Sequence, residues 1–427
     1  MWKKPGTPIP IDPSQVVIGL YIWLDISWVD HPFLTSRIMV TTEKEIAMIR
    51  AHHVEGRLYY YPDMSTAVPK PPLPAADQTA DELSAAAREA EALRQEAQAL
   101  EKAKKEKLRQ QKDAINRADR AWEDAARATR EALLNMARSP KTAGTQLSQL
   151  SRQTATAIVK GEEVLLHLLG DKKGQGPQFH ALNVMTLSMV LGKFVGLSER
   201  ELADLAMGSL AHDCGKTQIP PAILQSSTRK KFEEDFYRQH VQFSLQFASE
   251  SGAFTPEAMA IIADHHEYVD GTGWPKGKKE SSRAARVLAL VNRYDNLCTP
   301  EAQGTEALMP SEALATLFRN LSGKYDKALL SSLIKLLGVY PPGTVVQLSD
   351  GTLALVVSPG ATSLQPRVLI YSPEVPRDDA PTMDLADEPG LKVAEAIRPS
   401  TLPPDVPEWL NPQQRLSYFY SVSGNKA

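Results

Sequence analysis

Between residues 145 and 337 apolar side chains return at helical intervals, for instance Leu182, Met185 and Met189, then Leu202, Leu205 and Leu210. That period predicts a succession of amphipathic helices. No strand-like run interrupts it, so residues 141–337 are expected to form an all-α domain. The pattern changes on either side. Residues 16–25, 37–41 and 57–61 are rich in β-branched and aromatic side chains, as strands prefer, and residues 42–52 carry helix formers. Residues 1–68 therefore read as a small α/β domain. After Gly338, residues 344–348, an Asp350-Gly351 turn and residues 352–357 predict a hairpin. With residues 367–371 as a third strand, they make a short β extension over 338–375.

Two segments have no apolar period able to build a core. Prolines at 69, 71, 72 and 74 make residues 69–76 a stiff connector. Thr79-Ala-Asp-Glu82 fits a capping box, and Glu, Lys, Arg, Gln and Ala dominate from there to Arg138 with no Gly or Pro. Residues 77–140 are thus expected to form a long charged helix of about 90 Å at 1.5 Å per residue. Leu93, Leu100, Leu108, Ile115 and Trp122 recur at roughly heptad spacing, but Ala97 and Lys104 thin the seam. Two readings stand level: a coiled coil forming a homodimer, and a solvated helix resting on its neighbours. Residues 376–427 are proline-rich and acidic, and read as an extended or disordered tail, with Trp409 and Tyr418-Phe419-Tyr420 docking onto a domain. The chain is accordingly multidomain and mainly α.

Composition narrows the class. With 42% hydrophobic and 23% charged residues and a net charge of −3, the chain is neither fibrous nor mainly disordered, nor does bulk charge fit it for a nucleic-acid polymer. The longest apolar run, residues 16–24, is far short of the ~20 residues a membrane helix needs. The N-terminal charges are followed by no apolar run, so no secretory signal is expected. Two cysteines, Cys214 and Cys298, give no disulfide framework and point to a reducing, cytoplasmic setting.

The nine histidines carry the chemistry. His31, His52 and His53 lie in the N-terminal domain, and His167 in Val-Leu-Leu-His-Leu-Leu reads as structural. His180, His212, His240, His265 and His266 fall at the ends of successive predicted helices, accompanied by Asp213, Glu267 and Asp270. Imidazole and carboxylate together suit Fe, Mn, Ni or Zn. In Ala211-His-Asp-Cys-Gly-Lys216, His212 offers a neutral nitrogen and Asp213 a carboxylate able to bridge two cations. Such a pair can hold a hydroxide and clamp a phosphate for in-line attack. Lys216, one turn on, can neutralise a phosphate oxygen. Gly215-Lys216-Thr217 is not a phosphate-binding loop, because the earlier Gly of that motif is Leu210 and no strand precedes it. His265 and His266, about 100° apart on a helix, can serve different metals, or one metal and the substrate. A turn-rich Asp270-Gly-Thr-Gly-Trp-Pro275 segment follows.

His212-Asp213-x-Gly215-Lys216-x-x-Ile219-Pro220 and His265-His266-Glu267-x-x-Asp270-Gly271-x-Gly273-x-Pro275 resemble the HD-GYP branch of the HD metal-dependent phosphohydrolases. Residues 8–62, with Trp28-Val-Asp-His-Pro-Phe33, are similar to the small domain of unknown function that often precedes such domains. The resemblance implies an HD-type helical domain and hydrolysis of cyclic-di-GMP or a related phosphoester at two divalent transition metals, iron or manganese. It implies metal ligation by His180, His212, Asp213, His240, His265, His266 and Asn292, with Lys216 and Asp213 catalytic. Substrate binding would fall to Lys216, Asp270, Gly271, Gly273 and Trp274.

Four positions depart from the family pattern. Trp274 replaces the signature tyrosine. Asn292 stands where a ligating Asp is expected, Asp295 matching a second, non-ligating Asp. Gly176 replaces the Glu of three-metal members, leaving at most two metals. Pro300-Glu-Ala-Gln-Gly304 replaces a basic nucleotide-binding stretch. The alternative reading is a degenerate domain that binds a ligand without turnover, or a protein signalling partner. A third, an HD enzyme that cleaves nucleoside triphosphates, leaves the Gly-Trp-Pro loop unexplained.

Overall fold

The structure, a computed structural model, describes residues 6–26, 30–33, 35–51, 56–71, 80–160, 164–168, 176–373, 375–380, 382–388, 390–412 and 418–422. It divides into two compact units, one of residues 1–114 and 369–383, the other of residues 115–368 and 384–427. These units cut across the expected segments, since the long helix contributes to both. Trp28, His52, His53 and the Thr79 cap lie outside the described residues.

In the first unit β1 (Ile9–Pro10), β2 (Tyr21–Leu24), β3 (Arg37–Met39) and β4 (Leu58–Tyr60) form an antiparallel sheet in the order β1-β4-β2-β3. Ile22 faces Ile38 on one side and Tyr60 on the other. Helix α1 (Glu43–Ala51) buries Ile46, Met48 and Ile49 in the same apolar cluster as Val16, Leu20 and Leu24. The expected α/β domain is present, with strands shorter than the apolar runs.

Helix α2 (Ala80–Asn135) is the long charged helix. Its N-terminal part rests on the first unit: Leu93 packs on that core, Lys44 pairs with Glu96, and Lys105 pairs with Asp30. Its C-terminal part buries Trp122, Ala126, Ala132 and Leu133 in the second core, whereas Leu100 is exposed. The thin seam is therefore used for contacts within the chain, in line with a solvated helix resting on its neighbours.

The second unit is built from α3 (Pro140–Lys160), α4 (Pro177–Phe194), α5 (Glu199–Ala211), α6 (Pro221–Leu224), α7 (Lys231–Arg238), α8 (His240–Ser251), α9 (Pro256–Asp264), α10 (Arg283–Cys298), α11 (Pro310–Asn320) and α12 (Lys327–Leu337). Local signals set their ends. Ser198 and Glu201 close a capping box on α5, Thr255 caps α9 before Pro256, and Ser282 caps α10. Helix α8 stops at Gly252, whose φ of 65° favours glycine. Nearly every side chain from Ala181 to Gly192 is buried, so α4 is a central helix covered on all sides. It packs against α5 and α10, and α5 also packs against α3 and α9.

The expectation of an uninterrupted α domain is corrected by β5 (Val164–Leu168), which contains His167. A five-residue apolar run fits a strand or a buried helical turn equally by period. Its partner in an antiparallel pair is β11 (Tyr418–Val422), about 250 positions away in sequence, with His167 opposite Phe419. Tyr418-Phe419-Tyr420 thus docks on the helical domain, as expected. The predicted hairpin is β6 (Val345–Leu348) and β7 (Leu353–Thr362), followed by β8 (Gln365–Ile370).

The reading of residues 376–427 as an extended or disordered tail is also corrected. They supply β9 (Thr382–Asp384), β10 (Val393–Ala396) and helix α13 (Asp405–Leu410), in which Val406 and Leu410 are buried. The sheet order is β10-β6-β7-β8-β9. Sparse apolar positions are enough here because existing strand edges provide the backbone partners. Among the described residues no helix is long and apolar enough to cross a membrane.

Candidate metal centre

Four helix ends bring five histidines to Asp213. His180 lies in the first turn of α4, His212 caps the C-terminus of α5, His240 opens α8, and His265 caps α9 with His266 next. Asp213 itself begins the 3-10 turn Cys214–Gln218. A single local device aims three of the rings. The Nδ1 of His212 donates to the Ser209 carbonyl at 2.8 Å, that of His240 to Tyr237 at 2.7 Å, and that of His265 to Ile262 at 2.6 Å. In each case the acceptor is three residues earlier, so the backbone turn fixes the tautomer and leaves Nε2 a free lone pair facing the centre. His180 is oriented from a distance instead: its Nδ1 donates to Asp295 Oδ2 at 2.7 Å.

The two carboxylate oxygens of Asp213 face different sets of rings. Oδ2 lies 3.4 Å from His180 Nε2 and 3.2 Å from His212 Nε2, which are 3.2 Å from one another. Oδ1 lies 3.3 Å from His240 Nε2 and 3.7 Å from His265 Nε2. His180, His212 and Asp213 form one group with ligand spacing, and Asp213, His240, His265 and His266 form another. Asp213 Oδ1 and the Nε2 atoms of His240, His265 and His266 are buried without a hydrogen-bond partner. Buried polar atoms are rarely left unpaired. A cation between them would satisfy all four, and neutral nitrogens with a shared carboxylate fit a divalent transition metal.

The electrostatics agree. Burial, outweighing the attraction of Asp213, pulls His240 and His265 below the usual imidazole range; burial and the neighbouring rings take His266 well below it. These rings are neutral and ready to coordinate at pH 7. For His180 burial opposes protonation, but the hydrogen bonds to Asp213 and Asp295 prevail and raise it to about 9. A proton on His180 therefore competes with a metal at Nε2. Burial would raise the Asp213 carboxyl, yet His212, Lys216 and His180 hold it well below its ordinary value, so it stays ionised.

The helical-wheel spacing allowed His265 and His266 to serve different metals, or one metal and the substrate; the structure places both rings in one group of ligand atoms. The helix ends at Asp264, so its 100° rotation no longer applies, and both rings join the same group with centroids 4.1 Å apart. Trp274 stacks on His266 at 4.0 Å and meets His240 edge-on at 5.4 Å. Its Gly-Trp-Pro loop thus forms the wall of the centre.

Of the residues expected to bind substrate, Trp274 lines a cleft of about 350 Å³ that also contains His265, His266 and Asn292. Asp270, Gly271 and Gly273 shape the loop. Asp270 Oδ1 accepts from the Thr272 amide at 2.8 Å and hydroxyl at 2.7 Å, and Gly271 has φ 82°. A Cβ on Gly273 would lie 2.5 Å from the Tyr268 nitrogen and 2.6 Å from the His266 oxygen, so only glycine fits. Buried Glu267 ties the loop by accepting from the amides of Lys276 at 2.7 Å and Lys278 at 3.0 Å.

Asn292 is buried on α10, and its Oδ1 accepts from Asn296 Nδ2 at 2.7 Å. Gly176 caps α4 and brings no carboxylate. Lys216 Nζ lies 2.8 Å from Asp213 Oδ2 and 2.9 Å from Glu301 Oε2. Burial opposes its charge, but Asp213 and Glu301 hold it well above the usual lysine value. Sequence reasoning missed Glu301, although it lies in the stretch where cations were expected. It also missed Ser244, whose Oγ accepts from Gly215 N at 2.8 Å and donates to the His212 carbonyl at 2.9 Å. A serine inside a helix carries no motif by which to find it.

The fold and site define a helical domain with a histidine-rich centre arranged around one shared carboxylate. Residues 123–329 match the HD domain, and residues 9–146 match the domain of unknown function DUF3391. The chain thus carries an HD domain behind a DUF3391 domain, the organisation the resemblance implied. It is 26% identical over 231 residues to a cyclic di-GMP phosphodiesterase of Pseudomonas aeruginosa, covering 52% of this chain and 55% of that protein. It is 24% identical over 181 residues to the cyclic di-GMP phosphodiesterase PdeB of Borreliella burgdorferi, covering 42% and 47% respectively. The chain spans about half the length of these curated relatives. Among solved structures, an HDG"Y"P protein of Bdellovibrio bacteriovorus aligns with TM-score 0.41 and 16% identity over 77% of this chain and 97% of that one.

Proposed function

We propose that the protein is a metal-dependent phosphodiesterase acting on cyclic-di-GMP or a related cyclic dinucleotide. The observation that carries the reading is Asp213, whose two oxygens face two separate sets of histidines at ligand spacing. When bound, a pair of divalent transition-metal ions, iron or manganese as the family resemblance implies, would supply Lewis acidity and an activated water for in-line attack on phosphorus. His180, His212 and Asp213 would hold one ion, and Asp213, His240, His265 and His266 the other. Lys216 stands beside the shared carboxylate, where it can meet phosphate charge as it develops. Trp274 closes one wall with its aromatic face.

The test is metal analysis of the purified protein combined with turnover of cyclic-di-GMP in added Mn²⁺ or Fe²⁺. Bound transition metal and formation of the linear dinucleotide are expected, both abolished by Asp213→Ala. Protein that takes up no metal and leaves the dinucleotide intact would overturn the reading. A second reading, ligand binding without turnover or a protein-interaction module, is favoured by Asn292, an uncharged amide already engaged by Asn296. Robust hydrolysis lost in Asp213→Ala would remove it.

A further inference from the structure

Lys216 does not wait with an open ammonium. Its side chain is 12% exposed and bonded to Glu301 as well as to Asp213. Glu301 is 40% exposed and belongs to the segment that follows α10. It lines both the 350 Å³ cleft and a second cavity of about 110 Å³ that contains His180, Asp213 and Lys216. The segment is anchored: the Gln303 amide donates to the Gln225 carbonyl at 2.9 Å, and the two side chains bond at 3.0 Å. Arg229, which lines the cleft, is committed elsewhere. It donates to the carbonyls of Ile223 and Leu224, and its guanidinium sits 3.9 Å over the Tyr237 ring.

Resting on the phosphodiesterase reading of this site, we propose that Glu301 is a specificity-determining residue, a carboxylate that holds Lys216 where a ligand phosphate would otherwise bind. An incoming phosphate must either displace Glu301 from the ammonium or share the ammonium with it, and in both cases it lies beside the Glu301 charge. The penalty grows with the charge of the ligand, so a phosphate with two charges is disfavoured more than a phosphodiester with one. Hydrolysis adds water across a P–O bond and leaves a terminal phosphate of higher charge than the diester it came from. Glu301 therefore weakens retention of the product more than capture of the substrate.

The test compares the metal-loaded protein with its Glu301→Gln and Glu301→Lys variants. Binding of cyclic-di-GMP and of inorganic phosphate is measured by calorimetry, alongside metal content and steady-state turnover. Both probes are expected to bind about three- to fivefold more tightly to Glu301→Gln, as for loss of one partly exposed charge. Binding to Glu301→Lys should be tighter still, with phosphate gaining more than the dinucleotide. The gain should shrink as salt is added. A merely structural residue would weaken binding in both variants. Affinities equal to or below the wild type in both, or no binding of either probe to any of the three proteins, overturn the proposal. The expected order without turnover would leave Glu301 as proposed and remove the phosphodiesterase reading. Turnover without that order would do the reverse.

Discussion

Asp295 shows how the role of one carboxylate is set by what it touches. Its Oδ2 accepts from His180 Nδ1 at 2.7 Å and from Thr299 Oγ1 at 3.1 Å, and Asn183 Nδ2 reaches its Oδ1 at 3.3 Å. With every partner a donor and the side chain buried, Asp295 acts through His180, fixing its tautomer and raising the basicity of Nε2. Asp295→Asn preserves shape but removes the charge. Metal affinity at the His180–His212 side should fall about 10- to 100-fold, with His180 titrating below about 9. Competition with a chelator and NMR titration of the imidazole check both. Unchanged affinity would make Asp295 a packing residue only. The residues that gather around Asp213 were legible as candidates, because each is a histidine at or near a helix end. The orienting partners were not, because a carbonyl three residues back or an Asp 115 positions away has no motif.

Among elements, the contact that assembles the centre is that of α8 with the 3-10 turn after Asp213. A Cβ on Gly215 would lie 2.1 Å from the His240 carbonyl oxygen and 2.5 Å from the Ser244 nitrogen, so the backbones meet directly. Ser244 locks that approach by bonding to both Gly215 and His212, and thereby sets the distance between Asp213 and His240. Ser244→Ala would leave the Gly215 amide buried without its acceptor. A loss of about 1–3 kcal/mol is expected for such a group. Thermal and denaturant melts measure it, and retention of less metal by the folded variant would separate the effect on the site from that on the fold. Helix starts such as Ser198, Thr255 and Ser282 were readable from local chemistry. The serine of α8 acquires its role only when α8 is packed.

At the scale of the whole molecule, the long helix illustrates why pattern alone left two readings. Lys104 sits where a coiled-coil seam would want an apolar side chain. In the structure it donates to the backbone carbonyls of His31 and Phe33. Burial lowers its ammonium to about 8, although Glu101 and Asp30 oppose the shift. The unfolded chain therefore binds more protons than the folded one between about pH 8 and 10.5. In that window this group makes stability rise with pH, and its stabilising share is lost as pH falls through 8. Denaturant unfolding at a series of pH values should show a positive slope in the wild type relative to Lys104→Met, and parallel curves would exclude a buried Lys104 in solution.

The sequence by itself determined the helical character of the central domain, the long charged helix, the flanking small domains and which histidines and carboxylates were candidates for metal chemistry. These follow from local periodicity, capping chemistry and the donor atoms each side chain carries. Only the tertiary structure decided that Asp213 faces two sets of histidines, that His265 and His266 share one of them, and that Glu301 holds Lys216. The pairing of β5 with β11 and the folding of residues 376–427 into strands and a helix were likewise decided there. Each of these depends on contacts between residues far apart in the chain, which appear only when packed helices and strand edges bring them within hydrogen-bonding distance.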